Sequence, residues 1–301
     1  MGTLYRVTAD CPVNVARDVA RELARVNQEM STYDESSTLS RFNRSVPGRW
    51  FAVSADLVAV VAVAAQLSVV SAGAFDVTVG PLVNLWGFGP NGFSGVRPAQ
   101  EQIDAALARV GHVHLEYRAK PPALRKREDI YVDLSAIAKG YGVDRLAQLL
   151  IESACGDFLV EIGGEVRTRG TNERGAPWRV GVEVPDPESI GVVQRVLHLR
   201  EHSVATSGDY RNFLEQDGVR FSHTIDPRTG QPVNHGLASV TVVHTSAMWA
   251  DGYATLLNVL GPQAGFSFAQ DTGLAALFIV RTENGFEERY TQPMLLLLGS
   301  Q

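Results

Sequence analysis

At 301 residues, 45% of them hydrophobic and 20% charged, the chain has ordinary globular composition and can bury one large core or two. A net charge of −6 without a Lys/Arg-rich stripe argues against a nucleic-acid partner. The longest unbroken apolar run, the nine residues Leu57–Ala65, falls well short of the ~20 that cross a bilayer.

Two cysteines, Cys11 and Cys155, fit no metal spacing, and the sequence leaves their pairing open. No signal peptide precedes the folded pattern. The chain therefore reads as a cytoplasmic protein or as the mature form of an exported one.

In chain order, Leu4–Thr8 reads as a strand and Val13–Met30 as an amphipathic helix with Val15, Val19, Leu23 and Val26 on one face. Ser31–Asn43 follows as a polar loop with two aromatics, Tyr33 and Phe42. Loops carry function more often than cores do. Such an aromatic either stacks on a flat ligand or plugs the loop into the core.

Ala55–Ser71 is the central core helix, and Gly73–Pro81 is a short extended piece bracketed by glycines and a proline. Leu82–Trp86 predicts a helical turn, Gly87–Pro98 a surface loop, Ala99–Val110 a short helix and His112–Tyr117 a strand.

The stretch Tyr131–Asp144, Y-V-D-L-S-A-I-A-K-G-Y-G-V-D, joins a strand at Asp129–Val132 to a helix running through Leu149. Asp133 and Ser135 at the join are good N-cap types. A helix starting there aims unpaired N–H groups and the positive end of its dipole forward, which suits a phosphate. Gly140 and Gly142 each cost about 1 kcal/mol against Ala in a helix. Something is therefore expected to pack very close to this backbone, and a ligand is the expected occupant. The alternative is an ordinary strand-to-helix join.

Beyond it, Phe158–Ile162 and Glu165–Arg169 flank Gly163-Gly164, a strong hairpin signal. Strands follow at Trp178–Val184, Val193–Leu199 and Ser203–Thr206. Phe221–Gly230 is a strand broken by Asp-Pro and Thr-Gly turns. Leu237–Thr245 leads through Ser246, an N-cap type, into helices Met248–Leu260 and Pro262–Gln270. Strands at Leu274–Arg281 and Glu288–Thr291 close the pattern, without internal repeat or low-complexity linker.

Two constellations carry chemistry. Asp251 and Thr255 stand at i and i+4 on one helix, so a carboxylate and a hydroxyl share a face. Hard oxygens of this kind suit magnesium, which takes few protein ligands and completes its shell with phosphate and water; a simple i,i+4 hydrogen bond is the alternative. His223 lies at a strand end beside two turn signals, with a pKa suited to accepting a proton near neutrality. Its alternative role is to order the Thr229-Gly230 turn. No Gly-x-Gly-x-x-Gly follows the first strand, which disfavours a Rossmann dinucleotide site.

Met1-Gly-Thr-Leu-Tyr5, Met30-Ser-Thr-Tyr-Asp34 with Ser40-Arg-Phe-Asn43, Gly73-Ala-Phe-Asp76, Asp133-Leu-Ser-Ala-Ile-Ala-Lys-Gly140, Gly163-Gly164-Glu165, Ala205-Thr-Ser-Gly-Asp-Tyr210, His223-Thr-Ile-Asp-Pro227 and Ala250-Asp-Gly-Tyr-Ala-Thr255 occur in this order. In that succession the chain resembles the ApbE-type FAD:protein FMN transferases from Met1 to about Val280.

The resemblance implies an α+β fold of mixed, largely antiparallel sheets with flanking helices. It further implies one compact unit over 1–301, which would divide, if at all, into an α-rich lobe at 1–150 and a β-rich lobe at 151–301. It implies a Mg2+-dependent splitting of FAD in which FMN is attached through its phosphate to a threonine of a partner protein and AMP leaves. A membrane redox-complex subunit or a flavin-dependent reductase is the expected kind of acceptor.

Carried over residue by residue, Met1 and Tyr33 would lie near the flavin ring. Ala74, Phe75, Asp76, Asp133, Lys139 and Ile225 would line the rest of the FAD site. The metal would take the Ala136 carbonyl, Asp251 and Thr255, with His223 and Asp251 as the catalytic pair. Some relatives carry an acid in place of Lys139, and another in place of Ala254, so one possible carboxylate ligand is absent here. Relatives act on the outer side of the inner membrane, which makes the periplasm or cell envelope the expected compartment. Competing functions are a Mg2+-dependent FAD pyrophosphatase with water as acceptor, and a flavin carrier, which would need neither a metal half-shell nor a base.

Overall fold

The structure, a computed structural model, describes residues 2–90, 92, 97–186, 188–189, 191–208, 213–216 and 219–299. In chain order these form β1 (Tyr5–Ala9), α1 (Ala16–Met30), α2 (Thr38–Arg44), β2 (Phe51–Ala52), α3 (Ala55–Val70), α4 (Gly80–Leu85), α5 (Gln100–Leu107), β3 (Leu115–Arg118), β4 (Ala123–Lys126) and α6 (Ala138–Glu152). There follow β5 (Phe158–Ile162), β6 (Glu165–Arg169), β7 (Trp178–Glu183), β8 (Val193–Leu199), β9 (Ser203–Gly208), β10 (Phe213–Gln216), β11 (Val219–Ser222), β12 (Leu237–His244), α7 (Ala247–Asp271), β13 (Ala275–Thr282), β14 (Gly285–Tyr290) and α8 (Gln292–Gly299). The fold is α+β with antiparallel strand pairing throughout its ladders, as expected. Among the described residues no helix is long and apolar enough to cross a membrane.

The chain divides into two units, one of Met1–Leu23, Lys139–Arg211 and His235–Gln301, the other of Ala24–Ala138 and Asn212–Asn234. The first unit is built on a seven-stranded sheet of order β1-β5-β6-β9-β12-β13-β14. Its β12 is buried at seven of eight positions, so both faces of that strand are covered, Ser239 and Thr241 included. Leu146, Ala147 and Leu150 of α6 pack on Phe158, Val160 and Ile162 of β5. The β7–β8 hairpin packs Val180, Val182, Leu197 and Leu199 against Val204, Val243, Leu277 and Ile279. Gly163 and Gly164 take φ of +61° and +104° in the β5–β6 turn, a geometry that favours glycine. Cys11 and Cys155 are joined in a disulfide across 144 residues of sequence.

The second unit is organised on α3, which is apolar on most sides and buries Leu57, Val58, Val60, Val61, Ala64 and Leu67. Ser54 caps it, its side chain accepting from Leu57 N–H at 3.1 Å. A small sheet of order β2-β4-β3 and a cluster of Leu82, Trp86, Ile103 and Ile225 complete this unit.

Several elements depart from the sequence reading. The polar loop after Met30 contains α2, because Ser37 accepts from Ser40 N–H at 3.0 Å and starts a helix that buries Leu39 and Phe42. Phe42 is thus a plug, while Tyr33 is 68% exposed. Helix α6 begins at Ala138, not at Asp133, and the strand before it reduces to one parallel bridge between Tyr131 and Val79. That bridge is also all the extended structure in Gly73–Pro81. Strands β2, β4 and β10 and helix α8 were not foreseen. The break between the two helices expected after Ser246 is Gly261, at φ +78° and followed by Pro262, within one long α7.

Candidate active site

In the second unit, buried polar groups hold the segments that carry the expected FAD-site residues. Asn43 clamps Val132 from both sides, its Oδ1 accepting from Val132 N–H and its Nδ2 donating to Val132 O, each at 2.8 Å. Asp133 N–H then donates to Val77 O at 2.7 Å, which fixes Asp133 beside the Ala74–Val79 segment. The Asp133 carboxylate is no helix cap. Its Oδ1 accepts from Ser135 N–H at 2.8 Å and Ser135 Oγ at 2.5 Å, and this Asx turn precedes the Leu134–Ala138 turn that contains Ala136. Burial first, and then the Asp133 carboxylate, raise the Tyr131 hydroxyl above its ordinary pKa.

Asp76 has both oxygens engaged. Oδ1 accepts from Thr78 N–H and Oγ1 at 2.8 and 2.7 Å, and Oδ2 accepts from His112 N–H at 2.7 Å. Ala74 and Phe75 are buried, as is Ile225, which bridges Pro232 and packs with Leu82 and Trp86. Tyr33 donates through its hydroxyl to Phe88 O at 3.4 Å, and the Phe88 ring stands edge-on to the His223 ring with centroids 6.3 Å apart. The turn after His223 is ordered by Asp226, whose backbone O accepts from Gly230 N–H at 2.9 Å and whose carboxylate takes Arg228. Met1 lies outside the described residues.

In the first unit, the site is built where α6, β6 and α7 meet. The alternation Glu165, Arg167, Arg169 on β6 shares a face with Ile162, Val160 and Phe158 of β5, the face covered by α6. Charges on that face need partners, and α6 supplies them for Glu165 and Arg167. Lys139 Nζ meets Glu165 Oε1, and Arg167 meets Asp144 Oδ1, both at 2.5 Å. Asp144 also accepts from Ser246 Oγ, Ala247 N–H and Met248 N–H at 2.6–3.0 Å, so one carboxylate of α6 caps the start of α7.

Gly140 N–H in turn donates to Asp251 Oδ2 at 2.9 Å. A Cβ at Gly140 would fall on the Ala247 carbonyl oxygen and lie 2.7 Å from Asp251 Cβ. The close approach expected at Gly140 is therefore that of α7, not of a ligand.

Asp251 is 4% exposed, and desolvation raises its pKa. Its Oδ1 has Lys139 Nζ at 3.8 Å, beyond hydrogen-bond reach. The Thr255 hydroxyl one turn on is not its hydrogen-bond partner, so the simple i,i+4 bond weighed above is absent. Glu165, 2% exposed, is pushed up to about 7, desolvation outweighing the pull of Lys139. Lys139 is desolvated too, yet the Asp251 and Glu165 carboxylates leave its pKa raised.

Among the described residues no three His, Cys, Asp or Glu side chains cluster to hold a metal. A cation here would rely on one carboxylate, one hydroxyl, backbone and substrate oxygens. The residues present fit Mg2+: among the described residues Asp251 Oδ1 has no hydrogen-bond partner, and Thr255 follows on the next turn. Sequence reasoning missed Asp144, Glu165 and Arg167. The signal was available in the charged alternation of β6 opposite the apolar alternation of β5.

The family model described as the ApbE family matches residues 1–278. A FAD:protein FMN transferase of Vibrio cholerae is 44% identical over 294 residues, covering 96% of this chain and 87% of that protein. The solved flavin transferase ApbE of Vibrio cholerae superposes with TM-score 0.91 at 42% identity, covering 98% of this chain and 96% of its own. The apo flavinyl transferase ApbE of Pseudomonas stutzeri gives TM-score 0.91 at 39% identity, over 100% and 95% of the two chains.

Proposed function

The chain belongs to the ApbE family, and from that premise we propose that it is an enzyme that transfers the FMN part of FAD to a protein. The finer reading is a Mg2+-dependent reaction on a threonine of the acceptor, with AMP released. A new bond forms between the threonine oxygen and the phosphorus of the FMN half. The bridging P–O bond breaks, AMP leaves with its electron pair, and the threonine proton passes to His223.

The observation that carries this reading is Asp251, a buried carboxylate on α7 with one oxygen unbonded among the described residues, followed by Thr255. These two side chains would hold Mg2+, with the Ala136 carbonyl as the further donor the resemblance implies. The ion would neutralise charge on the diphosphate. Lys139, fixed by Glu165, adds a fixed positive charge suited to the same anion. The Asp226-ordered turn supports His223 as the base, because the turn has its own ordering group.

The Cys11–Cys155 disulfide supports work in an oxidising compartment, the periplasm or cell envelope. The test is incubation with FAD, Mg2+ and a candidate acceptor, read by intact mass. One FMN gained on an acceptor threonine supports the transferase; free FMN with an unmodified acceptor would establish a hydrolase instead.

A further inference from the structure

Buried Glu165 takes part in one side-chain interaction, with Lys139, and its Oε2 has no hydrogen-bond partner among the described residues. A carboxylate so desolvated is costly to fold, and an apolar residue of similar size would generally be more stable there. Its geometry shows a use. The Lys139 ammonium lies between two carboxylates, 2.5 Å from Glu165 Oε1 and 3.8 Å from Asp251 Oδ1. Gly140 N–H occupies only Asp251 Oδ2. Among the described residues Oδ1 is thus left unbonded, because the Lys139 ammonium near it is held by another acid.

We propose that Glu165 is a positioning residue for the metal: by holding the Lys139 ammonium it keeps Asp251 Oδ1 open to a divalent cation. Without the Glu165 charge, Lys139 has one carboxylate left within reach. A shift of about 1 Å would bring its ammonium into direct contact with Asp251. That ion pair would compete with the cation for the same oxygen, and groups that orient or free a ligand typically change metal affinity 10–100-fold. The inference rests on the reading of Asp251 as a metal ligand, and the experiment separates the two.

Mn2+ binding is titrated by electron paramagnetic resonance, with FAD present and no acceptor. The proteins are the wild type, Asp251→Asn, Glu165→Gln, Lys139→Met and the double variant Glu165→Gln/Lys139→Met, each checked for folding by thermal unfolding. Expected are strong loss for Asp251→Asn and weakening of about 10–100-fold for Glu165→Gln. Lys139→Met should bind at least as tightly as the wild type, and the double variant should bind as Lys139→Met does, because the competing ammonium is gone. Wild-type binding that survives Asp251→Asn, or no wild-type binding at all, would overturn the metal reading and this inference with it. Normal affinity in Glu165→Gln, or a double variant as weak as Glu165→Gln, would overturn the inference alone. Should Glu165→Gln fail to fold, weakened binding in Lys139→Met would overturn it and unweakened binding would support it.

Discussion

Gly140→Ala tests the packing on which the first unit's site depends. The added Cβ meets the Ala247 carbonyl oxygen, the Ala247 carbonyl carbon at 2.6 Å and Asp251 Cβ at 2.7 Å. None of these is the far end of a flexible side chain, so α6 and α7 must move apart. Forced overpacking costs about 1–3 kcal/mol, and stretching the Gly140 hydrogen bond to the Asp251 carboxylate costs about 1.5–3 kcal/mol. Replacing a helical Gly by Ala returns about 1 kcal/mol. The net is a destabilisation of about 1.5–5 kcal/mol, or a Tm lower by roughly 2–8 °C for a chain of this size.

The assay is thermal unfolding followed by circular dichroism, with Gly156→Ala as control. No atom lies within 4 Å of a Cβ at Gly156, so that variant should stay within about 0.5 kcal/mol of wild type. A Gly140→Ala protein with unchanged or raised Tm would refute the reasoning. So would one that keeps its stability and loses only FAD affinity, which would restore the ligand as the close neighbour.

Asp251→Asn should abolish Mg2+-dependent changes in Tm and lower transfer by orders of magnitude. Its metal-free stability should fall little or rise, because a desolvated carboxylate is neutralised, and differential scanning calorimetry with and without Mg2+ reads both. Cys11→Ser should lower stability by up to about 5 kcal/mol, the chain-entropy value for a closed loop of 144 residues, and dithiothreitol should reproduce the shift in the wild type but not in the variant. His223→Gly should bind FAD with little change yet transfer FMN about 10²–10⁴-fold more slowly, measured by single-turnover mass spectrometry.

What the sequence made legible was local. The Gly163-Gly164 turn, the Ser246 cap, the apolar α3 and the Gly261-Pro262 break each follow from a few adjacent residues. The helix α2 hid in a polar loop because its start is one serine and its buried face only Leu39 and Phe42 in two turns. Strand β4, Ala-Leu-Arg-Lys, reads as a charged connector. Lys126 nevertheless points inward, donating to Asn43 O at 2.7 Å across 83 residues. Asp133 looked like a helix cap because its type is right; its oxygen is spent on Ser135, and the helix starts five residues later. In the candidate site, Asp251 and Thr255 could be paired from their spacing alone. The charged alternation of β6 marks Glu165 and Arg167 as unusual, but their roles and that of Asp144 depend on partners 26, 23 and 102 residues away, which the alternation does not identify.

The first unit also constrains how the protein can be made. Its sheet takes strands from the beginning, middle and end of the chain, with β1 beside β5 and with β12 flanked by β9 and β13. On a ribosome, β1 must wait through more than a hundred residues before β5 exists, and the central strand arrives only after the outer three on one side. Residues 24–138, by contrast, emerge as one stretch and lack only 212–234 of their unit. Such high sequence separation slows folding and lengthens the exposure of unpaired strand edges. The Cys11–Cys155 bond falls at the earliest moment when this can be relieved: β5 follows Cys155 by three residues, so oxidation there ties β1 to its future neighbour before β9, β12 and β13 are available. A vectorially exported chain that oxidises on emergence would carry that tether through the rest of its folding, and one held reduced would have to find the β1–β5 register unaided.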